Sequence, residues 1–508
     1  MRFAAPDARR LSGYSGAVCA DVNETMHTLE TIKAHPVFHF FYEICQIPHG
    51  SFNEKAISDY LVGFARSKGL WYTQDTSGNV IIRKPATAGY ESAAPVILQS
   101  HMDMVCEKLT TSDHDFLRDP LKLELDGDWL RAAGTTLGAD DGIGMAITLA
   151  MLDASDIPHP ALEGVFTVNE EAGMDGARLL DTTLLSGRYL INIDMETEGK
   201  IVVSCAGGMR IKLSLPSEKT DAPTGLSYFE LQIDNLTGGH SGTTIDRQRA
   251  NANILLGRLL FELKNIYGIR LSSISGGSKE NAIPKDARAV ICVDPSNAAK
   301  LESAVETVRA IFANEHRMTD PDLTCVCRPC EASARVFSDD AFAKLTALLL
   351  DSPNGVLAMS LDIPGLVETS CNLGVVWEED DRVCTLSAAR SSVPSRKAYV
   401  IARLVALAES LGAETGFTGD YPAWPFVQSS RLRDIAAAVY AEQTGMQPLV
   451  TAIHAGLECG MFGERMPGLD MITIGPTITG THTPIESLSV SSALRVWDMT
   501  REIVERLK

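Results

Sequence analysis

The chain has no long apolar run, and positive charge is scarce in it. No uninterrupted apolar segment approaches the roughly 18 residues of a membrane span, which argues against a transmembrane role. The 65 Asp and Glu residues outnumber the 45 Lys and Arg residues, giving a formal net charge of −20. Such a charge repels nucleic-acid phosphates and anionic lipid surfaces. We therefore expect neither nucleic acid nor a membrane as a partner.

The N-terminal stretch lacks the apolar segment of about 7 to 15 residues that a secretory signal needs. Residues 1–28 are predicted to form a flexible extension, with Met26 as an alternative start. The 11 cysteines are odd in number and scattered, which favours reduced thiols and a cytoplasmic location. One cluster, Cys325, Cys327 and Cys330, alternates with apolar residues, so we interpret it as a strand and turn rather than a metal site.

The length of 508 residues predicts two or three domains, and the secondary-structure pattern changes twice along the chain. Residues 29–207 alternate buried-strand and helical patterns, which is typical of an α/β sheet flanked by helices. Residues 208–423 show two successive α+β patterns of similar layout. Residues 424–508 return to α/β character. We therefore predict a discontinuous catalytic domain, made by the first and last of these segments, and an inserted α+β lid of two related units.

Residues that commonly bind metals stand where predicted strands end. His101 follows a buried strand, and Asp103, two positions later, projects on the same side, where it can bond the ring nitrogen that is not used for metal. Asp140 and Asp141 stand at the start of a predicted helix. Asp141 fits a helix-capping role, which leaves Asp140 free to bridge two metal ions.

Two further acids, Glu170 and Glu171, follow another buried strand. On an extended strand their side chains would point to opposite sides, so one could bind metal while the other handles protons. Asp194 ends a further strand, and His482 lies in a loop rich in Gly, Thr and Pro. Each motif alone also fits an ordinary cap, edge or loop residue. Their shared position at strand ends favours a site for two Zn²⁺ ions that share one carboxylate.

The segments that carry these residues resemble the M20 metallopeptidases, and most closely their aminoacyl-histidine (Xaa-His) dipeptidase branch. The resemblance covers residues 30–508 and rests on LQSHMDMVCEK, TLGADDGIGMA, VNEEAGMDGA, INIDME, GGHSG, SKENAIP, HAGLECGMF and GTHTPIES. It implies a di-zinc exopeptidase-like catalytic domain with a mixed sheet. It also implies a cytoplasmic dipeptidase of broad specificity that cleaves Xaa-His dipeptides such as β-alanyl-histidine. Mn²⁺ or Co²⁺ could replace Zn²⁺. A homodimer is compatible with this hypothesis, but no sequence feature establishes it.

The same resemblance implies roles for individual residues. Asp103 would orient His101, and Glu170 would be the general base that takes a proton from the metal-bridging water and delivers it to the leaving amine. The peptide bond after Asp140 would be cis. The implied ligands are His101 and Asp194 for one ion, Glu171 and His482 for the other, and Asp140 as the bridge.

Five further residues are predicted to contact substrate. The resemblance implies that His240 stabilises the oxyanion and that Asn281 and Arg390 hold the substrate's carboxylate. His454 and Glu458 are four positions apart, a spacing that places both on one helical face. We interpret them as lining the substrate pocket rather than as a third metal site.

Two alternatives remain at this stage. An acylase, tripeptidase or carboxypeptidase of the same family would carry the same five ligands, and the inserted lid together with HAGLECG favours a dipeptidase over these. A non-catalytic zinc-dependent binding protein would also keep the fold. The presence of Glu170 argues against that second alternative.

Overall fold

The computed structural model describes residues 28–508, so the predicted N-terminal extension lies outside the described residues except for Thr28. We keep the predicted names as labels: catalytic domain for the first and last parts of the chain, and lid for the part between them. The first part begins with helices and then alternates strands with helices. Its helices are α1 (Leu29–Lys33), α2 (Pro36–Cys45), α3 (Lys55–Ser67), α4 (Ala139–Asp153), α5 (Glu170–Gly173) and α6 (Asp175–Leu179), and its strands are β1 (Trp71–Gln74), β2 (Val80–Lys84), β3 (Val96–His101), β4 (Leu123–Asp126), β5 (Trp129–Ala132), β6 (Leu162–Thr167), β7 (Tyr189–Asn192) and β8 (Lys200–Cys205).

The lid follows, and the chain then returns to the catalytic domain. The lid strands are β9 (Gly207–Pro216), β10 (Lys219–Asp221), β11 (Ser227–Asp234), β12 (Gly239–His240), β13 (Arg270–Gly276), β14 (Ala282–Ile283), β15 (Ala287–Val293), β16 (Thr324–Pro329), β17 (Arg335–Phe337), β18 (Gly355–Met359), β19 (Val367–Glu379), β20 (Arg382–Ser391) and β21 (Glu414–Tyr421), and its helices are α7 (Ala252–Tyr267), α8 (Pro295–Glu315), α9 (Asp339–Asp351) and α10 (Pro394–Leu411). The last segment contains α11 (Arg431–Thr444), β22 (Leu449–Ile453), α12 (Glu458–Arg465), β23 (Asp470–Thr473), β24 (Ile478–Thr479), β25 (Ser487–Ser489) and α13 (Val490–Arg506).

The catalytic domain is built on an eight-stranded mixed sheet in the order β1-β2-β6-β3-β7-β23-β8-β22. Strands β6, β3, β7 and β23 run parallel, whereas β1 with β2, and β23 with β8, pair antiparallel. On β3, Ile97 packs into one apolar core and Leu98 into the core on the opposite face. The continuous apolar pattern therefore reflects strands buried on both faces, as parallel strands in layered sheets are. The mixed sheet flanked by helices is confirmed.

The chain leaves this sheet after Cys205 and crosses back beside it, because Trp424 forms an isolated bridge with Cys205. These crossings lie next to the predicted domain boundaries at 207/208 and 423/424. Within residues 28–508, no helix combines the length and apolar composition that crossing a membrane requires.

The lid sheet is antiparallel and contains the same strand pattern twice. One unit runs β11-α7-β13-β15-α8-β16 along the chain, and its strands lie in the order β16-β11-β15-β13. The other runs β9-α9-β19-β20-α10-β21, with the order β21-β9-β20-β19. Both are β-α-β-β-α-β units. They are nested rather than successive as predicted, because β9 of the outer unit precedes the whole inner unit.

The four lid helices cover one face of this sheet. Leu259 of α7, Phe312 of α8, Leu345 of α9 and Leu404 of α10 share one apolar core with the strands. Neighbouring strand residues alternate between faces. Ala389 of β20 accordingly faces this core, and the next residue, Arg390, faces the catalytic domain.

Two local predictions about the lid have different outcomes. The strand at the cysteine cluster is confirmed: Cys325 and Cys327 lie on β16, with Cys325 buried, and Cys330 follows the strand in irregular backbone. The pattern of residues 246–264, DRQRANANILLGRLLFELK, by itself predicts a helix that starts at Asp246, and this start is too early. Helix α7 begins at Ala252, because the side chain of Asn251 accepts hydrogen bonds from the backbone N–H groups of Asn253 and Ile254 and so caps it.

Candidate metal centre

The five predicted ligands converge at one end of the catalytic sheet. His101 is the last residue of β3, and Asp194 lies two residues beyond β7. Asp140 stands at the start of α4, Glu171 in α5, and His482 in the loop after β24. In a sheet with parallel strands, the carboxyl ends of the strands share one edge, where sites are commonly built.

The ligand atoms form two groups that share Asp140. Nε2 of His101 lies 3.2 Å from Oδ1 of Asp140 and 3.8 Å from Oδ1 of Asp194. Nε2 of His482 lies 3.2 Å from Oδ2 of Asp140 and 2.8 Å from Oε1 of Glu171. Within each group the ligand atoms all lie within 4.8 Å of one another. Each oxygen of Asp140 thus faces a different imidazole, which is the arrangement that a bridging carboxylate needs.

The three carboxylates of this cluster lie so close together that positive charge is needed to stabilise their ionised forms. Burial raises the pKa of Asp194 well above its usual value. Hydrogen bonds to Asp140 and Glu171 raise the pKa of His482 to about 10. Although burial opposes it, hydrogen bonds to Asp103 and Asp140 also raise the pKa of His101. With a pKa near 10, His482 is protonated at neutral pH in the absence of metal and balances part of the negative charge of these carboxylates. Two nitrogen and three carboxylate donors form a set that suits Zn²⁺.

The loop before Asp140 is held by a residue that the sequence analysis did not single out. The buried carboxylate of Glu486 accepts hydrogen bonds from the backbone N–H groups of Leu137 at 2.8 Å, Gly138 at 3.1 Å, Ala139 at 2.9 Å and Asp140 at 3.4 Å. Glu486 lies four residues after His482, in the quoted GTHTPIES segment. A signal was therefore present in the sequence, but the partners of Glu486 are about 350 positions away.

Asp141 caps the helix as predicted. Its Oδ1 accepts a hydrogen bond of 3.1 Å from the backbone N–H of Gly144, and its Oδ2 accepts one of 3.2 Å from that of His101. The same carboxylate thus joins the helix start to the end of β3. The peptide bond between Asp140 and Asp141 is cis.

Asp103 lies beneath the site and is fully buried. Nδ1 of His101 lies 2.9 Å from the carbonyl oxygen of Asp103 and 3.4 Å from its carboxylate Oδ1. The ring nitrogen opposite the ligand atom is thus held mainly by the backbone of Asp103. The Asp103 carboxylate instead accepts from the hydroxyl of Ser51 at 2.8 Å and from the backbone N–H groups of Glu170 and Glu171 at 2.9 and 3.2 Å.

Glu170 and Glu171 differ in local structure from the prediction. The idea that they continue a strand is wrong: β6 ends at Thr167, Asn169 has a left-handed backbone, and the two acids form the first turn of α5. Glu171 joins Asp140 and His482 in one ligand group, and Glu170 and Glu171 together with His101 form a third set of closely spaced ligand atoms. Both acids line the cavity. Burial raises the pKa of Glu170 to about 8, and the carboxylates of Glu458, Glu171 and Asp140 contribute to the shift.

A cavity of about 570 Å³ separates the site from the lid. Glu170 and Glu171 line its catalytic side, and His240, Asn281 and Arg390 line its lid side. The structure therefore brings these three predicted lid residues to the space that faces the ligands. A volume of this size falls in the range of small-molecule sites.

His240 is held in one tautomer. The backbone N–H groups of Gly242 and Thr243 donate to its Nδ1 at 3.2 and 3.1 Å. Burial lowers its pKa, so the ring is neutral near pH 7. Because Nδ1 accepts, the proton of the neutral ring must sit on Nε2, which makes that nitrogen a hydrogen-bond donor.

His454 and Glu458 do not share a helical face, so that premise is wrong. Helix α12 begins at Glu458, and His454 precedes it in a loop. His454 is buried against the lid, where its Nε2 lies 2.7 Å from the hydroxyl of Ser370. The Glu458 carboxylate accepts from Gln99 at 2.5 Å and Thr167 at 2.7 Å. Neither residue lines the cavity. Their direct contact with substrate therefore stays a prediction, and the positions of the two side chains do not support it.

The chain is similar to a known peptidase family and to individual members of it. The model of peptidase family M20/M25/M40 matches residues 97–506. The cytosol non-specific dipeptidase of Escherichia coli (strain K12) is 40% identical over 485 residues, which cover 95% of this chain and 99% of that protein. The crystal structure of aminoacylhistidine dipeptidase from Vibrio alginolyticus superposes with a TM-score of 0.89 at 37% identity, covering 96% of this chain and 99% of that one.

A tripeptidase from Staphylococcus aureus resembles the chain more distantly. Its TM-score is 0.54 at 17% identity, with 95% of this chain and 99% of that one covered. At this identity the likeness concerns the fold alone.

Proposed function

The chain belongs to peptidase family M20/M25/M40, and we propose that it cleaves dipeptides with the help of two metal ions. The observation that carries this proposal is the pair of ligand groups sharing Asp140, with Glu170 beside them and Arg390 across the cavity. The E. coli relative is named a dipeptidase and matches nearly the whole chain.

Two Zn²⁺ ions are the proposed metals. His101 and Asp194 would hold one ion, Glu171 and His482 the other, and Asp140 would bridge them. Mn²⁺ and Co²⁺ accept the same donors. When bound, two such ions lower the pKa of water and polarise a carbonyl group.

Glu170 is the proposed general base. Its carboxylate accepts a proton from the water whose oxygen attacks the scissile carbonyl carbon, and it delivers that proton to the leaving nitrogen as the C–N bond breaks. Two features support this role: Glu170 lines the cavity, and hydrogen bonds from the backbone of Glu170 and Glu171 to Asp103 hold the turn in place.

The lid residues would bind the rest of the substrate. The Nε2 proton of His240 can donate to the carbonyl oxygen as negative charge develops on it. Arg390 and Asn281 would bind the terminal carboxylate, and Arg390 has no carboxylate partner among residues 28–508. A guanidinium without an internal counter-ion suits an anionic substrate group.

For the finer specificity we propose Xaa-His dipeptides, such as β-alanyl-histidine, within a broad dipeptide range. The support is the likeness to the Vibrio aminoacylhistidine dipeptidase at 37% identity. We further propose a cytoplasmic location, since the E. coli relative is named for the cytosol. A homodimer remains a prediction, which light scattering of the purified protein can test.

The test is a substrate panel with metal-loaded enzyme. Release rates from β-alanyl-histidine, other dipeptides, tripeptides and N-acetyl amino acids are compared with Zn²⁺, Mn²⁺ or Co²⁺ present. Dipeptides should be cleaved fastest. Faster cleavage of acetylated substrates or tripeptides would overturn the dipeptide assignment, and a metal-loaded protein that cleaves none of them would support the non-catalytic alternative.

A further inference from the structure

Three adjacent lid strands place Arg390, Gly208 and Tyr421 in one row at the cavity. Arg390 of β20 pairs with Gly208 of β9, and Gly208 pairs in turn with Tyr421, the last residue of β21. Tyr421 and Arg390 both line the cavity. Nη1 of Arg390 donates a 2.6 Å hydrogen bond to the hydroxyl oxygen of Tyr421. The two side chains therefore meet across a strand on which Gly208 has no side chain.

This contact depends on glycine at position 208. A Cβ atom at Gly208 would lie 2.4 Å from both Cζ and Oη of Tyr421, far inside van der Waals contact. Glycine in a strand often marks such a close approach of another group. The row thus leaves room for the phenol ring to lie over β9 and reach the guanidinium.

The catalytic domain confines the ring from another direction. A Cβ at Gly456 would lie 2.9 Å from Cε2 of Tyr421 and 3.0 Å from Cε of Met174. The backbone of Tyr421 is also held, because its carbonyl oxygen accepts a 2.8 Å hydrogen bond from Nζ of Lys397. Tyr421 therefore occupies a fixed position where the lid rejoins the catalytic domain.

Each side chain of this pair has a hydrogen-bond donor without an acceptor among residues 28–508. The phenol oxygen accepts from Arg390, yet the phenol proton has no acceptor among residues 28–508. Nε of Arg390 is buried and likewise has no acceptor in that range. Burial raises the pKa of Tyr421, so the phenol keeps its proton at neutral pH. An anionic group in the cavity beside Arg390 would accept the phenol proton of Tyr421.

We propose that Tyr421 is a substrate-binding residue, which orients the guanidinium of Arg390 and donates its own phenol proton to the terminal carboxylate of the substrate. This inference rests on the proposed function, in which Arg390 receives that carboxylate. It adds a further donor, beside Arg390 and Asn281, at the carboxylate end, and so a reason why substrates with a free terminal carboxylate are selected.

The test compares a dipeptide with the same dipeptide carrying a C-terminal amide. Tyr421→Phe keeps the ring and its packing but removes the hydroxyl. For the free dipeptide, KM should rise and kcat/KM should fall about 10- to 100-fold, the usual effect of losing a hydrogen bond to a charged group. For the amide, kcat/KM should change less than about twofold, because the charged acceptor is absent in both proteins.

Tyr228→Phe is the matched control. The hydroxyl of Tyr228 donates to the carbonyl oxygen of Ser333 in the lid, and Tyr228 does not line the cavity. Its removal should leave the ratio of the two substrates unchanged. Gly208→Ala is a second variant, in which the added methyl group displaces the phenol ring although Tyr421 itself is unchanged. Like Tyr421→Phe, it should lower the preference for the free dipeptide over the amide.

Each outcome decides between the two proposals. If wild type prefers the free dipeptide and Tyr421→Phe retains that preference, the role of Tyr421 is overturned while the proposed function stands. Equal losses for both substrates would likewise indicate packing rather than carboxylate binding. A wild-type enzyme that cleaves no dipeptide would overturn the proposed function and this inference with it.

Discussion

The backbone N–H of Glu170 donates a 2.9 Å hydrogen bond to Oδ1 of Asp103, a fully buried carboxylate. The other oxygen, Oδ2, accepts from the backbone of Glu171 and from Ser51. Asp103 therefore connects the end of β3 to the turn that carries both the proposed base and one ligand. Its importance lies in holding this turn as much as in orienting His101.

Asp103→Asn should lower kcat/KM about 10- to 100-fold, which is the usual effect of losing a group that supports metal ligands. The amide of Asn supplies one acceptor oxygen, whereas three donors must be satisfied. Steady-state kinetics measure the loss. Ser51→Ala is the control, since it removes only one donor and should cost less than the Asn variant. Wild-type activity in Asp103→Asn would show that the turn does not need this carboxylate.

Glu170→Gln should retain both metal ions and lose about 10²- to 10⁴-fold in kcat, because the amide cannot accept the water proton. Metal content by atomic absorption and turnover of a dipeptide are measured on the same sample. Glu442→Gln, which alters an exposed pair with Arg506, should leave both quantities unchanged. A fully active Glu170→Gln enzyme would remove Glu170 from the role of base.

Metal binding to chelator-treated protein should release protons near pH 8. In the metal-free protein the pKa of His482 is raised to about 10, above the ordinary value of 6.5, so the ring is protonated at this pH and must lose that proton to bind metal. Apparent metal affinity should therefore rise with pH up to about 10. Calorimetry in buffers of different ionisation enthalpy measures the release. His482→Gln should release about one proton fewer, and equal release in both proteins would contradict the assignment.

The same raised pKa predicts how the stability of the chelated protein depends on pH. The bonds of protonated His482 to Asp140 and Glu171 stabilise the fold, and this contribution is fully present below pH 6.5 and is lost as pH rises through about 10. The Tm of the chelated protein should therefore fall over this range. His482→Gln should show a smaller fall, and an identical profile in the variant would assign the pH dependence to other groups.

Glu486→Gln should weaken both the fold and the metal site. The variant has one acceptor oxygen for four backbone N–H groups, and each unsatisfied buried group costs about 1–3 kcal/mol. We expect the free energy of unfolding to fall by about 2 kcal/mol and metal affinity to fall about 10- to 100-fold. Denaturant unfolding and metal titration measure these two effects.

Glu163→Gln is the matched control for that variant. Glu163 is a buried carboxylate that accepts from the backbone of Ser186 and Gly187, away from the ligands. It should lose stability but keep its metal affinity. Equal losses of metal affinity in both variants would mean that Glu486 acts only through overall stability.

Much of the fold was predictable because its signals are local. Buried strands such as β3 and β6 appear as short apolar runs that end in polar residues, and the ligands stand directly at or after those ends. Asp141 was recognisable as a cap from its position before a helical pattern. The turn at Glu170 was not predictable, because the left-handed backbone of Asn169 redirects the chain after the strand.

The amino-acid sequence by itself determined the donor atoms, their order along the chain and their position at strand ends, since residue type and apolar patterning are local properties. Tertiary structure decided which groups touch. Strand register brings Arg390 and Tyr421 together over Gly208, and the chain crossing nests one lid unit inside the other. Packing buries Glu458 against Gln99 and Thr167. These contacts join segments far apart in sequence, so their geometry depends on how whole sheets pair and pack.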